Sequence, residues 1–124
     1  MIHLSDGEWK IMNLLWQQAP RTIMQLTAAL QKEMDWGKHT VITMLNRMEK
    51  KGAVRYEEGP RAKQYYPEVR KEEVAAQETK GFLDKVYEGS LSLMVNSMVS
   101  RKQVSREELE ELYAILKRAE EESL

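Results

Sequence analysis

Over the first fifty residues, apolar positions recur at helical spacing in three runs separated by turn residues. Ser5-Asp-Gly-Glu8 has capping-box spacing, in which Ser5 accepts from a backbone N–H and Glu8 reaches back. It predicts a helix carrying Trp9, Met12, Leu15 and Trp16 on one stripe and ending before Pro20. Thr22-Ile-Met-Gln25 repeats the device, and Ile23, Leu26, Leu30 and Met34 then share a face until Asp35-Trp36-Gly37 breaks the pattern. A third helix is predicted from about Lys38 to Lys51, closing at Gly52, the residue type expected just past a helix C-terminus. Two β-prone segments, Ala53–Glu57 and Ala62–Tyr66, flank Glu58-Gly-Pro-Arg61, a turn of hairpin length. Pro67, lacking an N–H, is expected to end the pairing.

From Lys71 the pattern is helical again, with Val74, Ala75, Phe82, Leu83, Val86 and Tyr87 punctuating a first helix up to a break at Gly89-Ser90. Leu91, Met94, Val95 and Met98 follow at i, i+3, i+4 and i+7. Ser105-Arg-Glu-Glu108 reads as a third capping box, opening a helix with Leu109, Leu112, Tyr113 and Leu116 on one stripe. Its outer face carries Glu107, Glu108, Glu110 and Glu111, and Lys117 and Arg118 sit toward its C-terminal end, where the helix dipole favours cations. Met24, Met44, Met48, Met94 and Met98 read as gap-filling core. The expected organisation is a mainly α chain with a small β-hairpin wing: a winged helix-turn-helix over residues 1–70 and a helical arm over residues 71–124.

Three amphipathic helices of about fifty residues in all have too little core to be stable alone, so their stripes need a partner. A second copy is favoured over the winged domain, which is already closed on its own core. Phe82, Val86, Leu91, Met94, Val95, Met98, Leu109, Leu112 and Leu116 are the candidate dimer contacts.

Composition narrows the function. The 124 residues are 42% hydrophobic and 31% charged, as in an ordinary globular chain. The absence of cysteine removes thiolate metal sites, disulfides and a cysteine nucleophile. No apolar run approaches the roughly 18–20 residues that span a bilayer, and the N-terminus lacks the pattern of a secretory signal. A cytoplasmic protein without membrane insertion is expected. The net charge of −1 hides a gradient: 11 basic against 8 acidic residues through Arg70, then 8 against 12. Between Trp36 and Lys63 there are 7 basic and 3 acidic residues.

The third helix carries the sharpest signal. With Val41 as the origin at about 100° per residue, Met44, Leu45 and Met48 fall beside it as one apolar stripe. His39, Thr40, Thr43, Asn46, Arg47 and Lys50 fall opposite, with Lys38 just ahead of them and no carboxylate among them. A solvated face usually mixes both signs. Hydroxyls, an amide, an imidazole and cations suit base edges and phosphates in the major groove of double-stranded DNA. Arg61 and Lys63 at the hairpin would reach the backbone or the adjacent minor groove, although Arg61 reads equally well as an idle loop cation.

The stretch Trp36-Gly-Lys-His-Thr40-Val-Ile-Thr43-Met-Leu-Asn-Arg47-Met-Glu-Lys-Lys51-Gly52 resembles the recognition helix of the penicillinase-repressor family, the BlaI/MecI/CopY group of bacterial winged-helix repressors. Leu4-Ser-Asp-Gly-Glu-Trp9, Tyr65-Tyr66-Pro67 and Ser105-Arg-Glu-Glu-Leu-Glu-Glu-Leu112 extend the resemblance over essentially the whole chain. It implies a homodimeric repressor on an inverted-repeat operator, controlling resistance or stress genes. By position it makes His39, Thr40, Thr43 and Arg47 the operator readers, with Arg61 at the wing. In the β-lactam branch it also implies a membrane sensor protease, or a protease downstream of it, that relieves repression by cleaving the arm. The Asn-Phe cleavage pair of that branch aligns with Asn96-Ser97-Met98, where no Asn-Phe occurs. The family's usual Ser-Pro-Lys before the first threonine is here Gly37-Lys38-His39, and the cysteine cluster of the copper-sensing branch is absent.

No catalytic residues, metal ligands or cofactor motif stand out: His3 and His39 have no metal-ligand spacing, and no nucleophile elbow or glycine-rich phosphate loop occurs. The alternative to an operator-bound repressor is a winged-helix regulator sensing a small ligand at its dimer interface, which a Tyr- or Trp-lined cavity there would favour. A third reading is a winged helix used only for protein contacts.

Overall fold

A computed structural model describes residues 2–123. The chain forms two compact units, one up to Thr79 and one from Lys80. Three helices open the first unit: α1 (Asp6–Gln17), α2 (Ile23–Met34) and α3 (Lys38–Lys50). An antiparallel hairpin of β1 (Val54–Glu58) and β2 (Lys63–Pro67) follows, and then α4 (Lys71–Tyr87), which runs across the division.

Local chemistry sets the helix ends. Both N-terminal capping boxes form: Ser5 and Glu8 exchange bonds at α1, as do Thr22 and Gln25 at α2. α2 ends where Asp35 takes a left-handed conformation. α3 ends at Lys51, after which Gly52 turns the chain at φ +82°. A Cβ on Gly52 would meet nothing within 4 Å, so its requirement is purely conformational. Gly52→Ala is therefore expected to cost about 1 kcal/mol, read as a lowered thermal midpoint. An unchanged midpoint would contradict it.

The core of this unit is shared by every element. Ile11, Met12 and Leu15 of α1, Leu26 and Leu30 of α2, and Val41, Leu45 and Met48 of α3 close on Ala53, Val54, Tyr65 and Val74. Truncating one of these leucines to alanine costs on the order of 2–5 kcal/mol. The stripe of α1 departs from expectation. Its centre is Glu8, Ile11, Met12 and Leu15, while Trp9 and Trp16 flank it, edge to face at 5.8 Å. Trp16 is partly buried against the core, and its Nε1 donates to the Val69 carbonyl at 2.9 Å, which pins the chain after the hairpin to α1.

The strands lie one residue later than predicted, and the pairing ends at Pro67, which is itself paired instead of lying just outside the strand. It is the last residue of β2, opposite Val54. The Glu68 N–H donates to Ala53 at 2.8 Å, so the Val54–Pro67 pair is one whose backbone groups face away from the partner strand. No donor is asked of Pro67. Tyr65, two residues earlier on that outward edge, exchanges both backbone bonds with Arg21 (2.9 and 3.2 Å). Arg21 Nε also donates to Leu14 and Gln18, satisfying carbonyls at the end of α1.

The second unit holds the end of α4, then α5 (Leu91–Ser100) and α6 (Arg106–Glu122). Glu88 and Gly89 at positive φ make the break, and Ser90 caps α5. Ser105 caps α6 by accepting from Glu108, but the return bond of the expected box is not formed. α6 runs to Glu122, so Lys117 and Arg118 lie short of its last turn and do not offset the dipole there. Of the methionines expected in the core, Met48 is fully buried and Met44 packs against the core. Met94 is half-buried, whereas Met98 and Met24 are exposed, Met24 at 65%. None of the described residues from Lys80 onward is buried. Among the described residues, no helix is long and apolar enough to cross a membrane.

Candidate nucleic-acid interface

α3 divides its residues cleanly between core and solvent. Val41, Leu45 and Met48 are buried, whereas Lys38, His39, Thr40, Thr43, Asn46, Arg47 and Lys50 are all exposed. An open groove of about 500 Å³ runs along this face, lined by Trp36, His39, Thr40, Thr43, Met44 and Arg47.

The start of α3 is bare. Gly37 supplies no side-chain cap and the first turn holds no acidic residue. The other three of the first four helix starts differ in kind: α1 and α4 carry acids in their first turns, and α2 has its box. Unsatisfied N–H groups at a helix start, reinforced by the macrodipole, favour an anion such as a phosphate.

Ion pairing sorts the basic stretch into two groups. Lys51 is held by Glu8 at 2.8 Å. Arg55 is held by Glu57 (2.9 Å) and Glu68 (2.8 Å) and lies 4.1 Å over the Tyr66 ring. Lys38, Arg47, Lys50, Arg61 and Lys63 form no ion pair among the described residues. Counting charge along the chain therefore overstates the stretch, because two of its seven cations are spent internally.

Two site residues are more constrained than the sequence suggests. The Thr43 hydroxyl donates to the His39 carbonyl at 2.9 Å, so it has acceptor lone pairs and a methyl to offer, not a free proton. Lys63 opens β2 and its Nζ lies 4.2 Å over the Tyr56 ring. Arg61 is exposed in the loop between the strands, which the Gly59 N–H closes by donating to the Ala62 carbonyl at 3.0 Å.

The family described as Penicillinase repressor matches residues 4–118. The chain belongs to the penicillinase repressor family. It is 30% identical over 113 residues to the methicillin resistance regulatory protein MecI of Mammaliicoccus sciuri, covering 91% of this chain and 92% of that protein. It is 32% identical to the penicillinase repressor of Bacillus licheniformis, covering 91% and 88%. Among solved structures, it is similar to the monomeric form of Bacillus licheniformis BlaI in complex with the blaP half-operator. That match has a TM-score of 0.51 and 28% identity, covering 56% of this chain and 85% of the other.

Sequence reasoning placed the exposed face of this family member but missed what supports it. Glu8 was read as a cap alone, although it lies three, four and seven residues before Ile11, Met12 and Leu15. An acid on the apolar stripe of a helix signals a cation waiting elsewhere in the fold. Arg21 carried no comparable signal, because its bridge to Tyr65 depends on a distant strand.

Proposed function

We propose that this chain is a transcriptional repressor that binds double-stranded DNA in the cytoplasm as a homodimer, one α3 in each half of an inverted-repeat operator. The observation that carries the reading is the exposed face of α3, six polar or basic side chains without a carboxylate, beside an uncapped helix start. The half-operator bound by monomeric BlaI, a relative, supports one copy per half-site. Dimerisation rests on the second unit. Its helices leave Phe82, Val86, Leu91, Met98, Leu109 and Leu116 exposed, with Met94, Val95 and Leu112 half-buried. A groove lined by Leu91, Ser92, Val95, Asn96, Val99 and Leu116 has no aromatic side chain. That lining suits a partner helix better than the aromatic ligand pocket of the alternative reading.

Release of repression by a protease would act on Asn96, Ser97 and Met98, which lie in the body of α5. A turn of that helix would have to open first.

Selection of bound duplexes from a random pool tests the proposal. The expected product is an inverted repeat with half-sites about one helical turn apart, or a multiple of it. Affinity for it should fall with salt by about 0.9 log units per log unit for each phosphate neutralised. A pool that enriches for no sequence would refute the reading, and salt-insensitive retention would favour protein contacts instead.

A further inference from the structure

The groove on α3, the apolar faces of the second unit and the unpaired cations are absorbed by the proposed function. One buried charge is not. Glu8 is fully buried, and its Oε1 accepts from the Ser5 N–H and the Lys51 Nζ, both at 2.8 Å. Its Oε2 has no partner. Lys51 Nζ also donates to the His3 carbonyl at 2.8 Å. One ammonium thus joins the end of α3 to the first turn of α1 and to the segment leading into it.

We propose that Lys51 and Glu8 are positioning residues that fix the angle at which α3 is presented to DNA, and that Lys51 is not a phosphate contact despite its place in the basic stretch. This inference rests on the DNA-binding reading above.

Geometry supports it from two points along the helix, its middle and its C-terminal end. Gly7, the residue before Glu8, lies against α3 as well: a Cβ built on it would meet the Met44 Cε and the Trp36 ring. Met44 and Lys51 are seven residues apart, about 10 Å along a helix axis. A helix touched at one point can pivot, whereas contacts separated by that distance define its direction. The first turn of α1 supplies both. Lys50, the neighbouring residue, points into solvent and is the side chain left to meet a phosphate.

The chemistry of the pair makes it hard to replace. Burial alone would push the Glu8 carboxyl up, but the hydrogen bonds from Lys51 and Ser5 and the Lys51 charge outweigh it and hold the carboxyl below its ordinary value. Without Lys51 only burial and Ser5 remain, and the carboxylate is left without a counter-charge.

The test compares Lys51→Met, Lys50→Met and the double variant Glu8→Gln/Lys51→Met on the selected duplex, at a temperature where circular dichroism shows each folded. The double variant strands no charge and is expected to recover most of the thermal midpoint lost by Lys51→Met. Both proteins lacking Lys51 should bind about tenfold or more weakly than wild type with an unchanged salt slope. Lys50→Met should instead lower the slope by about 0.9. A slope lowered in Lys51→Met as in Lys50→Met makes Lys51 a phosphate contact and overturns the inference. So does wild-type affinity in the double variant, which makes the pair a stability element alone. Carbon-detected titration of Glu8 checks the pair without DNA. The carboxyl should titrate below the ordinary glutamate range in wild type and higher in Lys51→Met, and identical curves would overturn the inference. Failure of wild type to bind any duplex would instead remove the DNA reading on which it rests.

Discussion

Leu116→Glu is expected to yield a folded monomer that has lost most of its operator affinity. Leu116 is 62% exposed, so a glutamate there disturbs no packed core of the protomer. It would place a charge at the centre of the apolar face offered by α5 and α6, which two copies could bury only by desolvating it. Linking two half-site contacts in one molecule raises avidity by about 10²–10⁴-fold, and that factor disappears with the dimer. Sedimentation of wild type and variant, with binding to the full operator and to a half-site, separates the two effects. Half-site binding should survive in the variant. A monomeric wild type, or a dimeric variant, would defeat the assignment of the second unit.

Arg47→Ala is the second large effect expected. Arg47 is exposed on the third turn of α3, lines the groove with His39, Thr40 and Thr43, and forms no ion pair among the described residues. Its removal should leave folding within about 0.5 kcal/mol of wild type. If the guanidinium makes a bidentate contact with a guanine edge, affinity should fall by about 1–3 kcal/mol, roughly 5- to 150-fold. The loss should be concentrated at one base position of each half-site. An unchanged dissociation constant at fixed salt would take this face out of the interface. A loss spread evenly over all sequences would make Arg47 a phosphate contact.

The features legible in the sequence are those set by neighbours a turn or less away. Ser5 and Thr22 sit three residues before a side chain that can bond back, so their caps could be read directly. The two faces of α3 follow from 3.6 residues per turn, whatever the helix packs against. Glu108 shows the limit of such reading: it has box spacing, yet its carboxylate does not return to Ser105. Local geometry permits that second bond, but an exposed glutamate can exchange it for water at little cost.

What escaped the sequence was the destination of each charge and each outward edge. Lys51 and Lys50 are adjacent lysines, indistinguishable by composition, yet one is bound to a buried carboxylate 43 residues away and the other is free for a ligand. Arg55 counts as a cation in any window, but two glutamates and a tyrosine ring occupy it. Pro67 was expected just outside the strand because its missing N–H was known, while the side of the strand it faces was not.

By itself the sequence determined the order of elements, their caps and the polar face of α3, since all of these arise from backbone geometry within one or two turns. Only the tertiary structure decided which cations remain available and what holds α3 in place. Those outcomes depend on pairings across distant parts of the chain, where burial makes a partnered charge stable and an unpartnered one costly.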